Sequence, residues 1–423
     1  MAAPLPRLRA DLDIMPSPLR EQPGLILRDP FRFSDVTLLI PPLLARCLGC
    51  FDGEQDERDL AAAIARLSGQ VSVGDAARRL IASLHDAGFL DDDRFAELRG
   101  AREREFAALG ERASAHAGSG YPSEIPALND TLRGYFNGGR AKAKPKAQTK
   151  ARASKGLLGI AAPHVSPEGG SASYAAAYRA LPNVNKANGD GDDRIFVVLG
   201  TSHYGEPDRF GLTRKSFVTP FGTAPTETAL VDQLCKAAGA AVTVEDYCHA
   251  VEHSIEFQVV FLQYLFGPRV RILPILCGAF SAGADPGRLP EESSDAVARF
   301  VGALGDLAAR KQHALCFVLG VDFAHVGQRY GDARAARAYQ GALATVAERD
   351  DARVDQIVAG DAEGFWNLLM ERGDDDLKWC GSSPIYTFLR AVPQARGHRL
   401  GYEQWNIDDE SVVSFGALSF TGG

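Results

Sequence analysis

No stretch of the 423-residue chain approaches the ~18 unbroken apolar residues of a membrane-spanning helix, which argues against a helical membrane protein. The opening MAAPLPRLRADLD lacks the apolar core of a secretory signal. Cysteine is sparse: seven residues, an odd number with no framework spacing, exclude a disulfide scaffold and point to a reducing compartment. The expected location is the cytoplasm. Basic charge is not in excess either, with 46 bases against 54 acids and a net charge of −8, which argues against a nucleic-acid binder. The average hides one asymmetry. Arg140 to Lys155 carries seven bases and no acid, leaving −15 on the rest.

What is present is the composition of a soluble globular protein, 45% hydrophobic and 24% charged. At ~150 residues per domain the length suggests two or three domains. A chain this long buries a sizeable core without disulfides or a structural metal.

Residues 1–100 form one compositional unit. Apolar runs at 24–27 and 36–39 precede PPLLARCLGCFDG, a helical pattern from Glu57 to Leu67 and a second from Val73 to Phe89. Helices separated by turns predict a small winged-helix-like module. Residues 101–155 read as linker, with helices in AREREFAALGERA and NDTLRGYF and a basic loop at the end. That loop has the composition of a solvated insertion more than of a surface for nucleic acid or an acidic partner. From residue 156 to 423 the pattern alternates. GLLGIAA, RIFVVLG, RVRILPILC and ALCFVLG are buried-strand runs, and SYAAAYRAL, ETALVDQLCKAA, EHSIEFQVVFLQYLF and DAVARFVGALGDLAAR lie between them as helices. The predicted class is α/β with a largely parallel or mixed sheet.

Three of these strands run directly into histidines: His164 in IAAPHVSP, His203 in VVLGTSHYG, and Asp322 with His325 in VLGVDFAHVG. Sites in α/β sheets gather outside the carboxyl ends of strands, and imidazole is the commonest metal ligand. One shared crevice is therefore expected. EHSIEFQ adds Glu252, His253 and Glu256, the two acids one turn apart on one helix face; His253 either points into the site or caps the helix. In KWCGSSP, Cys380 is a thiolate ligand, a nucleophile or an ordinary buried cysteine.

Other motifs fall away. NGDGDD (Asn188–Asp193) lacks the bidentate Glu of a calcium loop. GTSHYG has Tyr204 where a nucleophile elbow needs glycine. No Walker or Rossmann glycine pattern occurs. Cys47 and Cys50 form a lone CxxC with no second pair, which suits core positions better than a zinc or redox pair.

APHVSPEGGSASYAAAYRAL, LGTSHYG, EHSIEFQVVFL, VDFAHVGQRYGD, WCGSSPI and SVVSFGALSF, in this order, resemble the Memo family, whose bacterial members are often labelled AmmeMemoRadiSam system protein B. With AHAGSGYPSEIPALNDTL resembling the family's AGxxYP opening, the likeness runs from about residue 112 to the end. It implies a fold similar to class III extradiol dioxygenases, which hold non-haem Fe(II). By the same resemblance, His164 and His203 match the family's metal-site histidines and Cys380 its site cysteine. Asp322 and His325 match the pair beside the metal, where the dioxygenases keep an acid/base histidine, and His253 matches the EHS motif. Two departures stand out: Cys380 replaces the carboxylate of a two-His-one-carboxylate triad, and Ser166-Pro167 replaces a common Gly-Tyr. The segment LLARCLGCFDGEQDERDLAAAI resembles, more loosely, PqqD-like modules that bind leader peptides.

Two imidazoles and a thiolate suit iron(II), copper or zinc, with occupancy falling as acid protonates the ligands. The expected function is a non-haem, iron-dependent oxidoreductase of dioxygenase type, with His325 oriented by Asp322 as general acid or base and His253 beside them. Its substrate would be a small molecule or a peptide-borne residue, and a radical-SAM or peptide-pathway protein a partner. The alternatives are a copper or iron redox or chaperone protein without turnover, and a peptide-binding scaffold that retains the crevice.

Overall fold

The computed structural model describes residues 3–19, 21–70, 72–138, 156–182, 194–281, 287–311 and 313–423. The basic run at 140–155 and the acidic turn at 188–193 lie outside the described residues. The chain divides into two units, 1–108 and 109–423.

In the first unit the two short apolar runs become strands. β1 (Asp13–Pro16), β2 (Leu25–Arg28) and β3 (Thr37–Ile40) form an antiparallel meander. A single helical turn, Pro42–Ala45, and three longer helices follow, Glu57–Ser68, Gly74–Asp86 and Asp93–Ala108. Asp56 starts the first of the three by accepting from the backbone N–H of Arg58 and Asp59, while the Asp59 side chain accepts from the N–H of Asp56. Leu60 and Ile64, one turn apart, share a core with Leu27, Phe51, Leu80, Leu84 and Phe89. Cys47 and Cys50 are free thiols within it, and burial pushes both thiols up.

The second unit contains, in chain order, β4 (Glu111–Arg112), β5 (Leu157–Ala162), β6 (Ile195–Thr201), β7 (Phe210–Leu212), β8 (Ser216–Thr219) and β9 (Gly222–Ala224). Then come β10 (Val242–Val244), β11 (Arg271–Cys277), β12 (Leu315–Gly320), β13 (His325–Gly327), β14 (Ala395–Asn406) and β15 (Ser411–Gly422). Nine strands make one mixed sheet in the order β10-β7-β11-β6-β12-β5-β15-β13, with β14 on β15; β4, β8 and β9 form a small second sheet. The middle four, β11-β6-β12-β5, are parallel, and the long β14–β15 hairpin closes against β5 antiparallel. The mixed α/β architecture thus agrees with the alternation of strands and helices.

Helices cover both faces of the parallel core, so β6 and β12 are buried at every position and read as unbroken apolar runs. On one face Val197, Leu199, Phe317 and Leu319 meet Phe300, Leu304 and Phe388. On the other, Phe196, Val198 and Val318 meet Tyr174, Tyr178 and Phe261. Gly320 ends β12, and Gly200 stands one residue before the end of the neighbouring β6, for a steric reason. A Cβ on Gly200 would stand 2.5 Å from Ser254 Oγ, and one on Gly320 2.3 Å from the Ser254 carbonyl oxygen. Their absence lets the chain around Ser254 lie directly on the sheet end.

Candidate metal centre

Gly320 of β12 pairs with Ala162 of β5 on one side and Gly200 of β6 on the other, so the three strands end level. The residues that follow are the expected ones: His164 after β5, His203 after β6 and Asp322 after β12. The close approach at Gly200 and Gly320 delivers a third imidazole, His253. Ligand atoms of His164, His203 and His253 all lie within 4.8 Å of one another. The His203 and His253 rings stack at 5.0 Å, and His164 stands edge-on to both.

Hydrogen bonds fix which nitrogen of each ring faces the cluster. His164 Nδ1 is 2.8 Å from the Gly320 carbonyl oxygen and must donate to it, leaving Nε2 as the donor for a metal. Nδ1 of His203 and of His253 each stand 3.1 Å from the Glu252 carboxylate. The same carboxylate accepts the backbone N–H groups of His203 (2.9 Å), His253 (2.8 Å) and Ser254 (3.2 Å). Glu252 is buried, which alone would raise its pKa, but His203 and His253 hold it well below the usual carboxylate range. Burial drives His253 down to about 4, so this imidazole is neutral at physiological pH.

Cys380 joins from the turn before the helix Ser382–Ala391. Its Sγ is 3.3 Å from His164 Nε2, its carbonyl accepts from Thr201 Oγ1 (2.9 Å), and the Gly381 N–H donates to the Asp322 carbonyl (3.1 Å). A nitrogen ~2.0 Å and a sulfur ~2.3 Å from one tetrahedral ion stand roughly 3.5 Å apart, so the pair is spaced as ligands of a single metal would be. Burial opposes ionisation of the thiol, yet His164 and His325 pull it well below the ordinary thiol value. Burial likewise opposes a charge on His164, but Asp322 and Cys380 push it up to about 9. The donor set therefore fits a transition metal: three imidazoles with their outer nitrogens already engaged, and a thiol predisposed to ionise.

Two expectations need correction. Asp322 does not orient His325. Its carboxylate accepts the His164 backbone N–H at 3.0 Å and stands 3.6 Å from His164 Nε2, whereas His325 Nδ1 faces the carbonyls of Phe323 (3.0 Å) and Lys378 (3.1 Å). Nor do Glu252 and Glu256 share a helix face, because the helix begins only at Glu256. Glu256 turns away to bind Arg112, the N–H groups of Ala115 and His116, and the Tyr121 hydroxyl. That knot brings the His116 ring to 5.7 Å from His253, a neighbour the sequence reading did not include. The only sequence signal for the role of Glu252 is its adjacency to His253.

A family model described as "Memo-like protein" matches residues 112–419. A MEMO1 family protein of Aquifex aeolicus is 28% identical over 307 residues, 73% of this chain and 73% of its own. One from Methanosarcina acetivorans is 26% identical, covering 73% of this chain and 98% of its own. Among solved structures, an uncharacterized protein from Escherichia coli K12 matches 57% of this chain and 88% of its own at 14% identity and a TM-score of 0.33.

Proposed function

This chain belongs to the Memo family, and from that premise we propose that it is a metal-dependent oxidoreductase of dioxygenase type. The observation that carries this reading is the convergence of His164, His203 and His253 within 4.8 Å, with a buried carboxylate behind two of them. The family resemblance implies His164, His203 and Cys380 as ligands, and we add His253 to that set because its ligand atom lies within 4.8 Å of those of His164 and His203. Non-haem iron(II) is the metal proposed, with a small molecule or peptide-borne residue as substrate. When bound with open positions, iron(II) supplies activation of O₂ and coordination of a chelating substrate.

The protein's own part is orientation and proton handling. Glu252 keeps the Nδ1–H of His203 and His253 pointed outward, so neither ring can turn its lone pair away from the cluster. His325 is pinned through Nδ1–H by two carbonyls, which turns Nε2 toward the Cys380 thiol, where it would take or return a proton. Although burial disfavours its charged form, the adjacent thiol pushes His325 up, which favours holding that proton. Residues 1–100, with their likeness to PqqD-like winged-helix modules, would present a peptide or a radical-SAM partner.

A second reading draws on Cys380. A soft thiolate among imidazoles also suits copper(I), and a copper redox or chaperone role needs no turnover. Anaerobic metal analysis separates the two. Near-stoichiometric iron with substrate-dependent O₂ uptake is the expected result, and His164→Ala should abolish it. Copper without O₂ consumption would favour the second reading, and protein that holds no metal before or after His164→Ala would end both.

A further inference from the structure

A second buried carboxylate joins the segments that carry Cys380 and His325. Asp350 lies on the helix Leu343–Ala359 and is fully buried. It accepts three hydrogen bonds: from Trp379 Nε1 at 2.8 Å, from the Ser414 hydroxyl at 2.6 Å and from the Tyr402 hydroxyl at 2.8 Å. Two of these donors lead straight to the metal centre. Trp379 immediately precedes Cys380. Ser414 Oγ accepts from the Ala324 N–H (2.9 Å), and the Ser414 backbone pairs with Phe323 and Ala324. Those two residues are the link between Asp322 and His325. The Trp379 ring also stacks on Phe323 at 4.3 Å and 10°. One buried anion thus ties the turn carrying Cys380 to the strand exit carrying Asp322 and His325. The third donor, Tyr402, belongs to β14, and its hydroxyl shares one Asp350 oxygen with the Ser414 hydroxyl.

We propose that Asp350 is a positioning residue that sets where the Cys380 thiol stands relative to His164 and His325. The inference rests on the metal reading above for its main readout and has a metal-free readout of its own. A carboxylate suits the task because it offers up to four lone-pair directions and no donor. It can therefore hold an indole N–H and two hydroxyls together, where an amide would set its own N–H₂ against one of them.

The test loads the full-length protein with cobalt(II) and follows the thiolate-to-cobalt charge-transfer band and the apparent affinity. Asp350→Asn and Trp379→Phe, which keeps an aromatic ring on Phe323, should each shift the band and weaken cobalt binding by about tenfold or more. Tyr402→Phe removes the third hydrogen bond but leaves those from Trp379 and Ser414 in place; it should lower stability and shift the band less than the other two. Unchanged bands in Asp350→Asn and Trp379→Phe would overturn the proposal, as would a Tyr402→Phe shift as large as theirs. If the wild-type protein takes up no cobalt, the metal reading fails by itself. The positioning claim is then read from the pH profile of Cys380 alkylation in the metal-free protein. The proposal stands if both site-side variants move that profile more than Tyr402→Phe does, and falls otherwise.

Discussion

Two glutamates four positions apart carry opposite duties, and single substitutions should separate them. Glu252 accepts five N–H contacts from the metal-side residues, whereas Glu256 is paired with Arg112. Glu252→Gln presents an N–H₂ to groups that already donate, so His203 and His253 lose the anchor that sets their tautomers. Metal affinity should fall ~10–100-fold, measured by competition with a chelator of known strength. Glu256→Gln instead leaves the buried Arg112 guanidinium without its counter-charge. Its effect should be on stability, roughly 3–5 kcal/mol in denaturant titration. If Glu256→Gln matched Glu252→Gln in metal loss, the division of labour drawn from their contacts would be wrong.

At the scale of elements, the fold was legible where one signal sufficed. Continuous apolar runs marked β5, β6, β11 and β12, because burial on both faces leaves no polar residue to interrupt the run, and two of the histidines that follow them, His164 and His203, stand together. The start of the helix after His253 was misplaced. Apolar periodicity continues through Ser254 and Ile255, but Glu252 uses its carboxylate to hold backbone N–H groups outside the helix. The β14–β15 hairpin went unread: β14 alternates irregularly across a bulge between Arg399 and Gly401, and its partner is fixed only by the sheet. The roles of Glu252 and Asp350 were out of reach for a related reason, since each joins segments far apart in the chain. Gly320 makes the dependence on elements testable. Gly320→Ala drives a Cβ into the Ser254 carbonyl, and should cost about 1–3 kcal/mol and weaken metal binding by displacing His253. A variant with wild-type stability and metal affinity would show that this contact does not set the site.

For the larger unit as a whole, the buried Asp350 sets a pH dependence whose sign can be derived. Burial raises its pKa to about 6 against the hydrogen bonds from Ser414, Tyr402 and Trp379 and the charge of Arg353, which all favour the anion. In the unfolded chain the same carboxyl ionises near pH ~4. Between those values the folded state binds the extra proton, so this residue's contribution to stability falls as pH rises, by roughly 3 kcal/mol in all, and is level above about pH 6. Asp350→Asn has no proton to lose there. Plotted against pH, the stability of the wild type minus that of Asp350→Asn should therefore decline from pH ~4 to ~6 and then flatten. The chain has only three tryptophans, Trp366, Trp379 and Trp405, and all lie in the 109–423 unit, so their fluorescence in urea follows that unit alone. Parallel curves for the two proteins would mean that the folded state releases the Asp350 proton no later than the unfolded chain does. The three hydrogen bonds would then fully offset the burial of the anion.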